Sequence, residues 1–183
     1  MNDIYFSSDL HFGHGRQFVY GVRGFDSIEE MNEAIVKNFN EVITDQDDLY
    51  LLGDQMLGDY DNIKYLDRLN GKIHLLIGNH DTANRVKLYR EHGFDVLGYV
   101  DVVKFYGYRF YLSHYPTMTS NFDKELKQAT INLYGHTHQQ TNFCNGMPWM
   151  YHVGVDSHDC RPVEIRTIID EIKAEYEACK AFL

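Results

Sequence analysis

Two periods of hydrophobic and polar residues take turns along this chain, and their succession predicts an α/β protein. The run Leu49-Tyr50-Leu51-Leu52 has no polar interruption and stops at Gly53, so it reads as a strand buried on both faces of a parallel sheet. Ile4-Tyr5-Phe6-Ser7-Ser8, His74-Leu75-Leu76-Ile77 and residues 130–134 have the same character, and residues 149–155 and 163–165 supply later strands. Asp101 to Phe105 and Arg109 to Leu112 flank Tyr106-Gly107-Tyr108 as a β-hairpin. Between the strands the period changes to that of a helix. Ser27-Ile28-Glu29-Glu30 has the form of a capping box, and Ile28, Met31, Ile35, Phe39 and Val42 follow at helical spacing, predicting a helix over about 28–43. Ile63, Leu66 and Leu69 mark a short second helix closed by Gly71, and a third spans about Thr82 to His92 before Gly93. Ile168, Ile169, Ile172, Tyr176 and Cys179 define a C-terminal amphipathic helix from Thr167. Residues 117–128 are polar without a clear period and read as a mobile loop near the site.

Length and composition narrow the class. A chain of 183 residues with 44% apolar and 24% charged residues suits one globular domain spanning 1–183 and excludes a largely disordered chain. No apolar run is long enough for a transmembrane helix and Met1-Asn2-Asp3 opens no secretory signal, so a cytoplasmic protein without membrane attachment is expected. Cys144, Cys160 and Cys179 are widely spaced and form no CxxC pair, which argues for reduced, inert thiols. The net charge of −10 disfavours extended contact with nucleic acid. An anionic substrate would then need a local reversal of the field, which metal ions could supply among the ten histidines.

The strand ends carry the chemistry. Asp54 stands where the buried run stops, at the edge where open α/β sheets bind ligands, and serves there either as a helix cap or as a metal ligand. Asp9 and His11 follow the first strand at i and i+2 spacing, as a two-ligand clip if the backbone is extended. Gly78-Asn79-His80-Asp81 leaves another strand, offering an amide oxygen from Asn79 and an imidazole–carboxylate pair from His80 and Asp81. His114 ends the hairpin's second arm, and His136 and His138 repeat the i, i+2 clip. His14 and Arg16, on a glycine-rich loop, are either parts of a polar turn or substrate contacts. His74 reads as a packed core histidine and His92 as a complement to the helix C-terminus. Oxygen and imidazole donors without thiolate suit divalent first-row ions such as Mn, Fe, Co, Ni or Zn rather than calcium. Seven ligands are too many for one such ion and suit two.

In this order, Asp9-Leu10-His11, Gly53-Asp54, Gly78-Asn79-His80-Asp81, His114 and Gly135-His136-Thr137-His138 resemble the motifs of the calcineurin-like metallophosphoesterases, across nearly the whole chain. Ser8 to His14, His114-Tyr115-Pro116 and Val153-Gly154-Val155-Asp156 are similar to a compact subgroup from bacteria and phages. The resemblance implies a four-layer αββα sandwich. It implies that Asp9, His11, Asp54 and His138 hold one ion, that Asp54, Asn79, His114 and His136 hold the other, and that Asp54 bridges them. It leaves His80 free of metal to act on a phosphodiester or phosphomonoester, a small nucleotide-like phosphate, attacked by a hydroxide that the two ions activate. Protein phosphatases of this superfamily carry Asp-Arg-Gly where this chain has Leu57-Gly58-Asp59, so that assignment and its Asp partner for the catalytic His do not transfer. Two rivals stand beside this reading: a nuclease acting on short nucleic acid, which shares all the site residues, and a non-catalytic scaffold, which would be expected to have lost ligands or His80, whereas all of them are present here.

Overall fold

The structure is a computed structural model that describes residues 2–119, 125–144 and 147–180. Two five-stranded sheets face one another. The first contains β1 (Ile4–Ser7), β2 (Asp48–Leu52), β3 (Lys72–Leu76), β4 (Asp95–Gly98) and β10 (Val163–Glu164), in the order β10-β1-β2-β3-β4. The second contains β5 (Val100–Phe105), β6 (Tyr108–Ser113), β7 (Thr130–Tyr134), β8 (Phe143–Cys144) and β9 (Met147–His152), in the order β5-β6-β7-β9-β8. Strands β1 to β4 are mutually parallel, as are β6, β7 and β9. Their connections therefore deliver side chains to common sheet edges.

Strand alternation sorts the core into layers. In β2, Leu49 and Leu51 face outward onto α1 (Gln17–Tyr20), α2 (Ile28–Asn40), α3 (Asp59–Leu66) and α4 (Ala83–Glu91), whereas Tyr50 and Leu52 face the second sheet. Phe6 and Tyr50 stack with ring centroids 5.1 Å apart, and both meet Phe105 of β5 across the inter-sheet core. Ile165, Ile168, Ile169 and Ile172 of α5 (Ile165–Lys180) join the second sheet's core, completing a four-layer αββα sandwich. Burying one such isoleucine contributes about 1.5–3 kcal/mol, which is why the stripe predicted from Thr167 onward docks. No helix among the described residues is long and apolar enough to cross a membrane.

Several boundaries differ from the sequence reading. Helix α2 ends at Asn40, three residues early; Ser27 Oγ accepts the Glu30 N–H at 3.1 Å, but Glu30 reaches back to the N–H of Asp26. Strand β9 covers Met147–His152, and α5 begins at Ile165, where a strand end was expected. His74 is not a core residue. It lies half-buried on Tyr50 (4.6 Å), bonded through Nδ1 to Asp95 (2.8 Å) and Nε2 to Asp48 (3.0 Å), because its register position faces the carboxylates of neighbouring strands. His92 caps α4 and pairs with Asp67 at 2.9 Å. In the expected loop over 117–128, Thr117 and Thr119 are tied to Asn132 and Thr130 and Leu126 is buried; residues 120–124 lie outside the described residues.

Candidate metal centre

Six loops leaving β1, β2, β3, β6, β7 and β9 converge. They are laced by main-chain bonds: Asp9 N–H to Gly53 O (3.1 Å), His11 N–H to Asp54 O (3.1 Å) and Val155 N–H to Ser8 O (3.2 Å). The clip at Asp9 and His11 is not made as extended backbone would make it. Strand β1 ends at Ser7, and Asp9 (φ 58°), His11 (φ 52°), Asp54 (φ 58°), His136 (φ 68°) and His138 (φ 48°) all adopt left-handed conformations. Such conformations cost of order 1 kcal/mol or more per non-glycine residue and persist where the surroundings impose them. Two glycines permit the crowding: a Cβ on Gly135 would meet Ser8 Oγ at 2.0 Å and Asp9 Oδ2 at 2.3 Å, and one on Gly78 would meet Asp54 Oδ1 at 2.2 Å.

Asp9, His11 and His138 form one tight donor group, and Asp9, Asp54 and His114 another. In the first, His11 Nε2 and His138 Nε2 lie 3.2 Å apart, each 3.8 Å from Asp9 Oδ1. That oxygen is buried with no hydrogen-bond partner among the described residues, whereas Asp9 Oδ2 accepts from Ser8 and from the His136 N–H at 2.9 Å. His138 directs Nδ1 at Asp156 Oδ2 (2.8 Å), so its proton belongs there and its Nε2 lone pair faces His11. Two imidazole nitrogens about 3 Å apart beside an unsatisfied carboxylate oxygen match ligands about 2 Å from a common ion.

The second group has the same logic. His114 Nδ1 donates to Leu52 O (2.9 Å), leaving Nε2 aimed at Asn79 Oδ1 (2.9 Å) and Asp54 Oδ2 (3.4 Å), both acceptors. Three acceptors converging on one point need a proton or a cation between them. Asp54 Oδ2 also lies 3.9 Å from His11 Nε2, between the two groups, while Oδ1 accepts the His80 N–H at 2.8 Å. His136 falls outside both tight groups; its ring packs edge-on against His114 (5.0 Å) and Tyr115 (4.6 Å), at the second group's flank.

Residues 3–165 match the calcineurin-like phosphoesterase superfamily domain. The chain belongs to this superfamily. It is 32% identical over 182 residues to an uncharacterised protein of Methanocaldococcus jannaschii, covering 94% of this chain and 93% of that one. It is 24% identical over 196 residues to the gene 66 protein of Mycobacterium phage L5, covering 86% and 88%. The crystal structure of a protein of unknown function from Aquifex aeolicus shares the fold, with a TM-score of 0.71 and 23% identity over 93% of this chain and 99% of that one.

The electrostatics of this candidate centre follow from burial and close charges. Burial pushes the Asp9 carboxyl up and the His11 imidazole down to about 2. Burial also works against ionising Asp54, but the His114 imidazole, the His80 N–H and the His11 imidazole together outweigh it and the pKa falls; His114 rises despite its own burial, beside Asp54 and Asp9. Asp156 raises His138, whereas burial lowers His136 and His14.

The remaining expected residues divide. His80 is half exposed at the mouth, its ring 5.3 Å from that of His11 and 6.3 Å from that of His14. Arg16 is exposed on the same loop as His14, near enough to depress its protonation. Asp81 is not paired with His80. It turns inward, where it accepts the N–H groups of Asp54 and Gly78 (both 2.8 Å) and the Tyr89 hydroxyl (2.8 Å), fixing the loop that carries Asp54. Sequence reasoning missed Arg23. Its guanidinium grips both oxygens of Asp156 at 2.9 Å and donates to Asp9 O (2.8 Å) and Leu10 O (3.2 Å), so it ties the Asp9 loop to the carboxylate that orients His138. The only signal was Asp156 itself, at the end of Val153-Gly154-Val155-Asp156.

Proposed function

We propose that this chain is a hydrolase acting on a phosphodiester or phosphomonoester of a small nucleotide-like molecule, with two divalent ions, manganese first among them. The reading is carried by the acceptor cluster in which His11 Nε2, His138 Nε2 and the unpartnered Asp9 Oδ1 face one point, beside Asp54. Asp9, His11, Asp54 and His138 would hold one ion, and Asp54, Asn79, His114 and His136 the other. Such ions supply Lewis acidity and lower the pKa of water.

The chain's own groups do the rest. Asp54 offers Oδ2 to both donor sets while the His80 N–H holds Oδ1, so its carboxylate is fixed at the seam. His80, at the mouth, donates a hydrogen bond or a proton to the leaving oxygen. His14 and Arg16 line the approach, where they can hold the remaining phosphoryl oxygens. The net charge of −10 argues against long nucleic acid, so the partner is a small phosphorylated substrate.

The test is a panel of p-nitrophenyl phosphate, bis-p-nitrophenyl phosphate, nucleotides and cyclic nucleotides, each assayed with Mn, Co, Ni, Zn and Mg. Turnover of at least one ester is expected, lost with EDTA and restored by metal. EDTA should also lower Tm, since an ion bound only to the folded state at a thousandfold excess over Kd contributes about 4 kcal/mol. No ester hydrolysed with any ion would overturn the reading.

A further inference from the structure

Beside the centre lies a cavity of about 210 Å³ lined by the apolar Phe18, Val19 and Val22 together with Arg23, His138 and Asp156. Phe18 and Val22 stand 70% and 68% exposed, four residues apart, on and just beyond a four-residue helix. Single exposed apolar residues need no explanation. Two at the rim of a cavity that ends on a candidate metal ligand do. The ring of His14 joins the wall to the centre: it meets Phe18 edge-on at 5.6 Å and His11 at 5.4 Å, and His11 meets His80 at 5.3 Å.

We infer that this cavity is the subsite for a single planar aromatic or heteroaromatic ring carried by the phosphate ester, seated against Phe18 and Val22. This deepens the phosphoesterase reading and rests on it. Charge favours such an occupant. Arg23 and Asp156 neutralise one another with side chains only 2% exposed each, so the floor offers no free charge to a second phosphate. Volume sets the size of what is seated: pockets for whole drug-sized ligands run from about 300 Å³ upward, so 210 Å³ suits one ring system. The phosphoryl group would lie among His11, His80 and His138, with the ring reaching outward over Phe18.

The experiment compares two phosphonates that differ in carrying a ring or a methyl group, phenylphosphonate and methylphosphonate, titrated calorimetrically into manganese-loaded protein, with each affinity referred to the concentration of its dianion. The wild type should bind phenylphosphonate about tenfold or more tightly than methylphosphonate, the range expected when a ring stacks on an aromatic side chain. Phe18→Ala, at an exposed position whose truncation leaves the core intact, should erase that preference while methylphosphonate affinity and metal content stay as they were; Val22→Ser should reduce it in the same direction. A preference that survives in Phe18→Ala, or no preference in the wild type, overturns the subsite. If neither phosphonate binds and no ester is hydrolysed, the phosphoesterase reading itself has failed, which is a distinguishable result.

Discussion

Both halves of the centre combine carboxylate with imidazole, the second adding the Asn79 amide, but they are braced differently. Around Asp9, His11 and His138 the support is ionic: Asp156 holds His138 Nδ1, and Arg23 grips Asp156 while donating to Asp9 O and Leu10 O. Around Asp54, Asn79 and His114 the support is mostly main chain: Leu52 O fixes His114, and Asp81 gathers the N–H groups of Asp54 and Gly78. The difference has a physical origin. His114 leaves a central strand and finds a carbonyl of β2 beside it, whereas His138 sits half exposed on a long loop and needs a buried charge to hold its ring. An ionic brace orients strongly but collapses when one partner is lost, since the other is left as a buried, unpaired charge. The Leu52 carbonyl that fixes His114 cannot be removed by a side-chain substitution, whereas the Asp81 carboxylate that gathers the N–H groups can.

The largest effect expected short of losing an ion lies at the mouth, where neither brace operates. His80→Ala should lower kcat by roughly 10² to 10⁴, the range for a lost general acid or charge stabiliser, with two ions per chain retained and KM little changed. The loss should be smaller for p-nitrophenyl esters than for esters of poor leaving groups. Equal impairment for both, or loss of an ion, would make His80 a positioning group or a ligand and erase its distinction from the two halves.

Breaking the ionic brace should be selective. Asp156→Asn keeps an acceptor for His138 Nδ1 but removes the charge that Arg23 neutralises, and loss of such outer support typically costs about 10- to 100-fold in metal affinity. Metal titration should show one ion weakened by that factor and the other unchanged. Uniform weakening of both would mean that the two halves are one unit and the comparison is wrong.

The smallest effect provides a control away from the centre. Asp47 gathers N–H and O–H donors from Thr44 (2.8 and 2.7 Å) and the Asp3 N–H (2.9 Å), much as Asp81 gathers donors beside the candidate centre. Burial opposes its charge, but these donors outweigh it and its pKa falls below the usual value, whereas burial pushes Asp81 above it. A depressed carboxylate contributes stability above its unfolded pKa and loses it as pH falls through its folded one. Asp47→Ala should therefore cost about 1–3 kcal/mol at pH 7, with the gap to wild type shrinking below about pH 4 in urea melts and no change in metal affinity. A gap that widened in acid would reverse the sign of this argument.

Much of the fold was legible because it depends on local period. The run through Leu49 to Leu52, the α5 stripe and the α2 stripe through Met31, Ile35 and Phe39 are found as read, although Val42 lies beyond α2 and is exposed, and Tyr106-Gly107, both with positive φ, make the expected hairpin turn. The residues of the centre were legible by type and place, but their geometry was not. Five of them reach their positions through left-handed backbone, which long-range packing imposes and alternation cannot foresee. Helix α1 has four residues and no side-chain cap, β4 is a short edge strand with a register shift beside it, and β8 has two residues, so none carries a periodic signal. Arg23 meets Asp156 across 133 positions of sequence, a pairing no spacing rule contains.

The central claim is that Asp54 is shared by two ions, and counting metal tests it most directly. After equilibrium dialysis against Mn and removal of free metal, elemental analysis should find two ions per chain in the wild type. Asp54→Asn keeps the shape of the side chain and removes the shared charge, so it should retain one ion or none and lose most activity. Two ions held by Asp54→Asn with undiminished affinity would contradict the account.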